Sequence, residues 1–151
     1  MTEKKKLKER IAEEMLEDYG GALERNFELA QKVMRLTRDG RVHITIDKSK
    51  LTGKELIQLY LIGKLYAKEG GIVESAAVSN KELMEELGIV QGSVLPWTKE
   101  LRDAGRIKPT ASGVHEIHLH VVEGFLKSIL SKLKSILSKL GGSDHVTDSR
   151  G

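Results

Sequence analysis

Residues 79–107, SNKELMEELGIVQGSVLPWTKELRDAGRI, constrain the fold of this chain more than any other segment. Ser79 and Glu82 stand three residues apart, which is the spacing of a capping box at the start of a helix. Gly88 then ends this short helix, as a glycine at the C′ position does. A second helix follows, and Gly105 stops it. The segment therefore predicts a helix, a tight turn and a second helix.

The segment after these helices, residues 107–122, alternates between apolar and polar residues as a small β-hairpin does. Three apolar residues are predicted to point to the same side: Ile117, Leu119 and Val121. His118 and His120 are predicted to point to the other side. Ser112 and Gly113 mark the tip of the hairpin, because small residues and glycine favour tight turns.

The central helix of the core is predicted immediately before this region. Thr52 and Glu55 form a capping box, and the helix runs from Gly53 to Glu69. Apolar residues cover so much of its surface that it must be buried on several sides. A short strand is predicted within residues 72–78.

Residues 1–46 are predicted to form an N-terminal helical arm and a strand. Helical periodicity runs over residues 3–18 and again over residues 22–37, and the glycine pair at 20–21 separates the two helices. After an Asp-Gly turn, residues 41–46 alternate as a half-buried strand does.

The C-terminal segment, residues 124–140, predicts an amphipathic helix. Residues 127–133 and 134–140 both read KSILSKL, an exact repeat whose only charges are lysines. Its apolar stripe is expected to contact a partner: Leu126, Ile129, Leu130, Leu133, Ile136, Leu137 and Leu140. Subunit association is the preferred interpretation, contact with an anionic membrane is the second, and docking onto the chain's own domain is the third. A glycine pair is predicted to end the helix, with residues 141–151 as a disordered tail.

Composition excludes several classes of protein. The chain has no cysteine, which rules out disulfides, thiolate metal sites and cysteine catalysis. No glycine-rich phosphate loop, nucleophile motif or paired-carboxylate signature is present, so neither an enzyme nor a cofactor is predicted. The N-terminus lacks the apolar stretch of a secretory signal, and no apolar run has the length of a membrane span. A cytoplasmic protein is therefore expected.

Charge is unevenly distributed along the chain, although the net charge is only +3. Residues 32–54 carry seven cationic side chains against two acidic ones, whereas residues 11–28 carry six acidic side chains against one arginine. This pattern fits a phosphate-binding face beside an acidic shield, and it equally fits two ordinary solvated surfaces.

Two histidines stand at i and i+2 on one predicted strand, His118 and His120. Such a pair can share a metal ion when a third ligand is near, but no carboxylate has a motif spacing to them. A solvent-facing strand is the preferred interpretation and no metal is predicted. A pH-sensitive hairpin is an alternative, because histidine titrates near neutrality.

The second helix of the pair is the candidate nucleic-acid reader. It is predicted to start near Gly92 or Ser93 and to bury Val94, Trp97 and Leu101. The opposite face and the hairpin then supply side chains that hydrogen-bond to base edges or reach phosphates. The predicted DNA-binding residues are Gln91, Ser93, Leu95, Thr98, Lys99, Arg102, Arg106, Lys108 and Ser112.

Residues 50–122, and the quoted segment 79–107 above all, resemble winged helix-turn-helix DNA-binding proteins of the small archaeal transcription-regulator type. The resemblance implies a mainly α fold with a small β-wing (α+β), a three-helix core and often a dimer. It also implies duplex DNA as the partner, with Leu95 departing from the polar residue usual in a reading helix. The expected function is a transcription regulator that binds duplex DNA as a homodimer. The alternative is a protein-interaction or membrane-associating module that acts through the basic C-terminal helix.

Overall fold

A computed structural model describes residues 6–15 and 19–148 of the chain. The described residues form an α+β fold with two small antiparallel sheets, which agrees with the predicted combination of mainly α structure and a small β part. The elements in chain order are α1 (Leu7–Glu14), α2 (Tyr19–Arg25), α3 (Phe27–Gln31), β1 (Met34–Leu36), β2 (Val42–Ile44), α4 (Gly53–Glu69), β3 (Val78–Ser79), α5 (Asn80–Leu87), α6 (Gln91–Asp103), β4 (Ile107–Ala111), β5 (Val114–Ile117) and α7 (Val122–Asp148).

Helix α4 is the central element of the core, and its bounds match the predicted ones. The Thr52 hydroxyl accepts a hydrogen bond from the Glu55 backbone N–H, and the Glu55 carboxylate accepts one from the Thr52 N–H at 2.8 Å. Ile57, Leu59 and Ile62 are fully buried although their spacing places them on different sides of the helix. Strands β1, β2 and β5 and helices α5 and α6 all contact this helix.

One charged residue lies among these apolar neighbours. Lys64 is buried on α4, and its ammonium lies 2.9 Å from the Glu82 carboxylate of α5. The same ammonium donates a hydrogen bond to the Gly40 carbonyl at 2.6 Å, and the Tyr60 hydroxyl donates to Glu82 at 2.5 Å. Because each buried polar group has a partner, this network ties α4, α5 and the β1–β2 turn together.

The three-stranded sheet has the order β3-β5-β4, and all pairs are antiparallel. Ile107 pairs with Ile117 and Val78 pairs with His115. All four side chains are buried, so one face of the sheet closes the core beside α5 and α6. The strand β5 ends at Ile117, earlier than predicted, and Leu119–Val121 forms a single 3₁₀ turn.

The N-terminal region differs from the prediction. The glycine pair at 20–21 lies inside α2. The predicted helix over 22–37 is correct only in its first part, because residues 22–25 and 27–31 belong to two helices and residues 34–36 form a strand. Met34 and Ile44 pair across a hairpin and are both buried, so tertiary packing overrides the helical periodicity. Helix α1 occupies the middle of the predicted 3–18 helix, whose ends lie outside the described residues.

Helix α7 first packs on its own domain and then extends beyond it. Leu126 and Ile129 are fully buried in the core, and Leu130 and Leu133 are partly buried against it. Docking onto the chain's own domain is thus the correct interpretation for the first repeat, so Leu126 and Ile129 are not available to a partner. The burial of Leu126 and Ile129 contradicts the prediction, which ranked subunit association and membrane contact ahead of docking onto the chain's own domain.

The predicted stop at Gly141 is wrong, because α7 continues to Asp148. Glycine lowers helix propensity by about 1 kcal/mol but keeps its backbone N–H, so it does not force a helix to end. Residues 141–148 of the predicted disordered tail are therefore helical, and residues 149–151 lie outside the described part of the chain. None of the helices in the described ranges has both the length and the apolar character needed to cross a membrane.

Candidate nucleic-acid interface

The two helices α5 and α6 are held in place by local sequence signals. The Ser79 hydroxyl accepts a hydrogen bond from the Glu82 N–H at 3.0 Å, which caps α5. Gly88 ends α5 in the left-handed conformation with φ of 68°, where a side chain would be strained. Ile89 then enters the core from the turn. The chain therefore turns sharply between the helices, as predicted.

Helix α6 starts at Gln91, slightly earlier than predicted, and its buried face is made by Val94, Thr98 and Leu101. Thr98 is only 1 % exposed, and its hydroxyl donates to the Val94 carbonyl at 2.8 Å. The prediction that Thr98 contacts DNA is therefore wrong. A residue four positions after Val94 lies on the same side of the helix, and the hydroxyl is already satisfied within α6.

Trp97 is half-buried beside this face, at the N-terminus of α4. A Cβ atom added to Gly53 would lie 2.0 Å from the Trp97 ring, so glycine is needed for the ring to approach the helix. The neighbouring pair, Lys54 and Glu100, joins the same two helices at 2.7 Å. These contacts fix the rotation of α6 and thereby decide which of its side chains face outward.

A cleft of about 410 Å³ lies between the outward face of α6 and the β4–β5 hairpin, and we call it the α6–hairpin cleft. Its lining residues are Asn80, Leu95, Thr98, Lys99, Arg102, Pro109, Ala111, Ser112, Gly113 and His115. This lining includes two cationic side chains and no carboxylate. Leu95, Lys99 and Arg102 follow i, i+4, i+7 spacing along α6, so they form one continuous wall. The cleft therefore favours an anionic ligand.

The hairpin wall of the cleft is fastened to the start of α5. The Asn80 backbone N–H donates to the Gly113 carbonyl at 2.8 Å. Asn80 Oδ1 lies 2.7 Å from His115 Nε2, so the neutral imidazole donates through that nitrogen. Gly113 has a φ of 67°, which allows the tight turn at the hairpin tip predicted at Ser112 and Gly113. The two walls consequently keep a defined separation.

His115 is 2 % exposed, and its Nδ1 atom has no hydrogen-bond partner among the described residues. Burial lowers the pKa of His115, and the positive charge of Arg102 lowers it further. The imidazole is therefore neutral at pH 7, and the positive charge of the cleft comes from Lys99 and Arg102 alone.

Lys99 has an acidic neighbour on its own helix. Its ammonium lies 2.7 Å from the Asp103 carboxylate, and the hydrogen bond from Lys99 lowers the pKa of that carboxyl group. Both side chains are about two-thirds exposed, so this ion pair is weak and screened by solvent. A phosphate placed in the cleft can therefore compete for the Lys99 ammonium.

The structure separates the remaining predicted DNA-binding residues from the cleft. Gln91 is exposed and Ser93 is half-exposed in the first turn of α6. The Lys108 ammonium lies 3.9 Å from Glu116 on the paired strand. The prediction that Arg106 contacts DNA is wrong. Its guanidinium donates to the Gln58 side chain and lies 5.8 Å from the centre of the Phe125 ring. Arg106 therefore holds α4 and α7 together rather than reaching a ligand.

The basic segment, residues 32–54, contributes nothing to the lining of the cleft. Arg41 forms ion pairs with Asp39 at 2.7 Å and with Glu86 at 3.3 Å. Arg35 donates to backbone carbonyls of its own strand and of the preceding helix. These cations thus serve local structure on other surfaces.

Sequence reasoning missed four residues that line the cleft: Asn80, Pro109, Ala111 and His115. The burial of His115 could have been predicted from the sequence. His115 and Ile117 are two residues apart on β5 and therefore face the same side of the sheet, and Ile117 was predicted to face inward. His118 and His120 stack with their ring centres 5.3 Å apart. Within the described ranges, no group of three or more metal-binding side chains is close enough to hold a metal ion.

Comparisons of this chain with protein-family models, with curated proteins and with solved structures find no match.

Proposed function

We propose that residues 50–122 form a winged helix-turn-helix that binds duplex DNA, and that the protein is a transcription regulator acting as a homodimer. The α6–hairpin cleft carries this proposal, because cationic side chains line it and no carboxylate does. The order of elements supports it as well: three helices, α4 to α6, precede the hairpin.

In this proposal α6 enters the major groove with its N-terminal turn foremost, as reading helices do. Gln91 and Ser93 contact base edges, and Leu95 contacts a thymine methyl group. Leu95 is 47 % exposed, so its side chain is available for such a contact. Lys99 and Arg102 bind phosphates in the cleft, and Ser112 at the hairpin tip lies against the flanking backbone.

The proposal is tested by fluorescence-anisotropy titration of the protein into a labelled duplex at several salt concentrations. We expect affinity to fall as salt rises, since each phosphate contact releases counterions. Lys99→Ala and Arg102→Ala should each weaken binding and reduce the slope of log K against log salt by about one.

Lys68→Ala is the matched control, because this exposed lysine on α4 carries the same charge and does not line the cleft. It should leave the slope unchanged. The proposal would be rejected if the protein did not bind DNA at low salt. It would also be rejected if the two cleft variants and the control all had the same slope.

A further inference from the structure

Helix α7 contains the sequence KSILSKL twice. The first copy already packs against an apolar surface of its own domain. In the first copy, residues 127–133, Ile129 is fully buried and Lys132 donates to the Glu55 carboxylate at 2.7 Å. This segment therefore fits an apolar surface that has a glutamate at its edge. The second copy has the same side chains at the same spacing.

The second repeat extends past the domain without such a surface. Among the described side chains of α7, Leu133 is the last that packs against the core, Ile136 is half-buried and Leu137 is 67 % exposed. About 22 Å of helix follows Leu133 at a rise of 1.5 Å per residue. Within residues 134–140 the only charged side chains are Lys134 and Lys139, so this part of α7 is apolar and cationic.

A second surface in the same chain has the complementary character. A cleft of about 460 Å³ lies where α2 and α3 meet the end of α4, and we call it the acidic cleft. Its apolar lining is Leu23, Phe27 and Tyr66, and its edge carries Glu24, Glu28 and Glu69. Phe27 is 49 % exposed although its ring lies 6.2 Å from that of Tyr66. All three glutamates are exposed.

We propose that residues 134–140 of one copy of this chain dock in the acidic cleft of a second copy. The apolar side of the helix covers Phe27 and Tyr66, and the lysines meet the glutamates at the edge, as Lys132 meets Glu55 within one chain. Two such contacts related by a two-fold axis form a closed dimer. This inference rests on the homodimer of the proposed function and identifies its contact surface. Its test involves no DNA.

The test is the molar mass of the full-length chain, measured by sedimentation equilibrium over a concentration range. The unmodified chain should dimerise reversibly. Lys134→Glu/Lys139→Glu should weaken the dimer at least tenfold, and Glu24→Lys/Glu28→Lys should do the same, because each places like charges opposite one another. Combining all four substitutions in one chain should restore the dimer, since the charges are then exchanged across both contacts.

Glu74→Lys/Glu85→Lys is the matched control, because both glutamates are exposed and lie outside the acidic cleft. It should leave the dimer unchanged, and circular dichroism checks that each variant is folded. If α7 helices pair with each other instead, Glu24→Lys/Glu28→Lys dimerises as the unmodified chain does, and the proposal is overturned. A chain that stays monomeric but sediments with anionic vesicles also overturns it, in favour of membrane contact. If the protein binds DNA as a monomer, the proposed DNA contact is retained and the proposed dimer contact is rejected.

Discussion

Individual side chains in the α6–hairpin cleft divide into those that hold it together and those that face a ligand. The hydrogen bond between Asn80 and His115 joins α5 to β5, and the Thr98 hydroxyl is satisfied within α6. Lys99 and Arg102 differ from these because they bring the positive charge of the cleft. A substitution at His115 should therefore affect stability first, and one at Arg102 should affect binding first.

His115 makes the stability of the fold depend on pH. Because burial lowers its pKa in the folded state, the unfolded chain binds a proton near pH 6.5 while the folded chain does not. The stability that His115 contributes is present above pH 6.5 and is lost as pH falls toward the folded-state pKa. The slope should reach at most about 1.4 kcal/mol per pH unit.

Urea unfolding at pH 7.5, 6.5 and 5.5 measures this dependence. His115→Gln keeps a side-chain donor for Asn80 and does not titrate, so its stability should change less than that of the unmodified chain. Equal changes in the two proteins would show that His115 does not produce the effect. His120→Gln is the control, because His120 is exposed.

At the scale of elements, the close approach of the β1–β2 hairpin to α4 depends on a glycine in the helix. A Cβ atom added to Gly63 would lie 2.5 Å from Val42 Cγ1, inside the contact distance of two carbon atoms. Helix propensity favours alanine at this position by about 1 kcal/mol, so the glycine is explained by packing and not by the helix.

Gly63→Ala should destabilise the protein by about 1–3 kcal/mol, the usual cost of an overpacked core. Val42→Ala in the same chain should reduce that cost, because it removes the two methyl groups nearest to the added Cβ. Gly124→Ala in α7 is the matched control, since nothing lies within 4 Å of a Cβ at Gly124. It should be neutral or stabilising in thermal and urea unfolding. A Gly63→Ala protein that is as stable as the unmodified chain would contradict the packing argument.

At the scale of the whole molecule, α7 belongs to the domain in its first half and to the proposed dimer in its second. Val122, Phe125, Leu126 and Ile129 are all buried in the common core. Burying such side chains contributes about 1.5–3 kcal/mol each, which together is comparable to the total stability of a small domain.

Two truncations separate these roles. A chain that ends at Leu133 should fold with nearly unchanged thermal stability at low protein concentration, and it should not dimerise. A chain that ends at Val121 should lose its cooperative unfolding transition, because it lacks the four core residues of α7. Circular dichroism melts of both chains provide the measurement. A cooperative melt from the shorter chain would show that α7 is not part of the core.

The amino-acid pattern was sufficient to predict α4, α5 and the turn before α6. The capping box at Thr52, the N-cap hydroxyl of Ser79 and the glycine stop at Gly88 act within about four residues, so their effect can be read from the local sequence. The Glu82 carboxylate does not complete a capping box at Ser79, because it binds Tyr60 and Lys64 instead. The burial of Thr98 and His115 follows from their spacing to Val94 and Ile117, which the sequence already contained. The strand at 34–36 and the docking of Ile129 required the folded molecule. Each depends on partners far along the chain, as Lys132 and Glu55 do across 77 residues. Periodicity identifies an apolar stripe, but three-dimensional packing decides whether the chain itself covers it or leaves it exposed, as at Leu137.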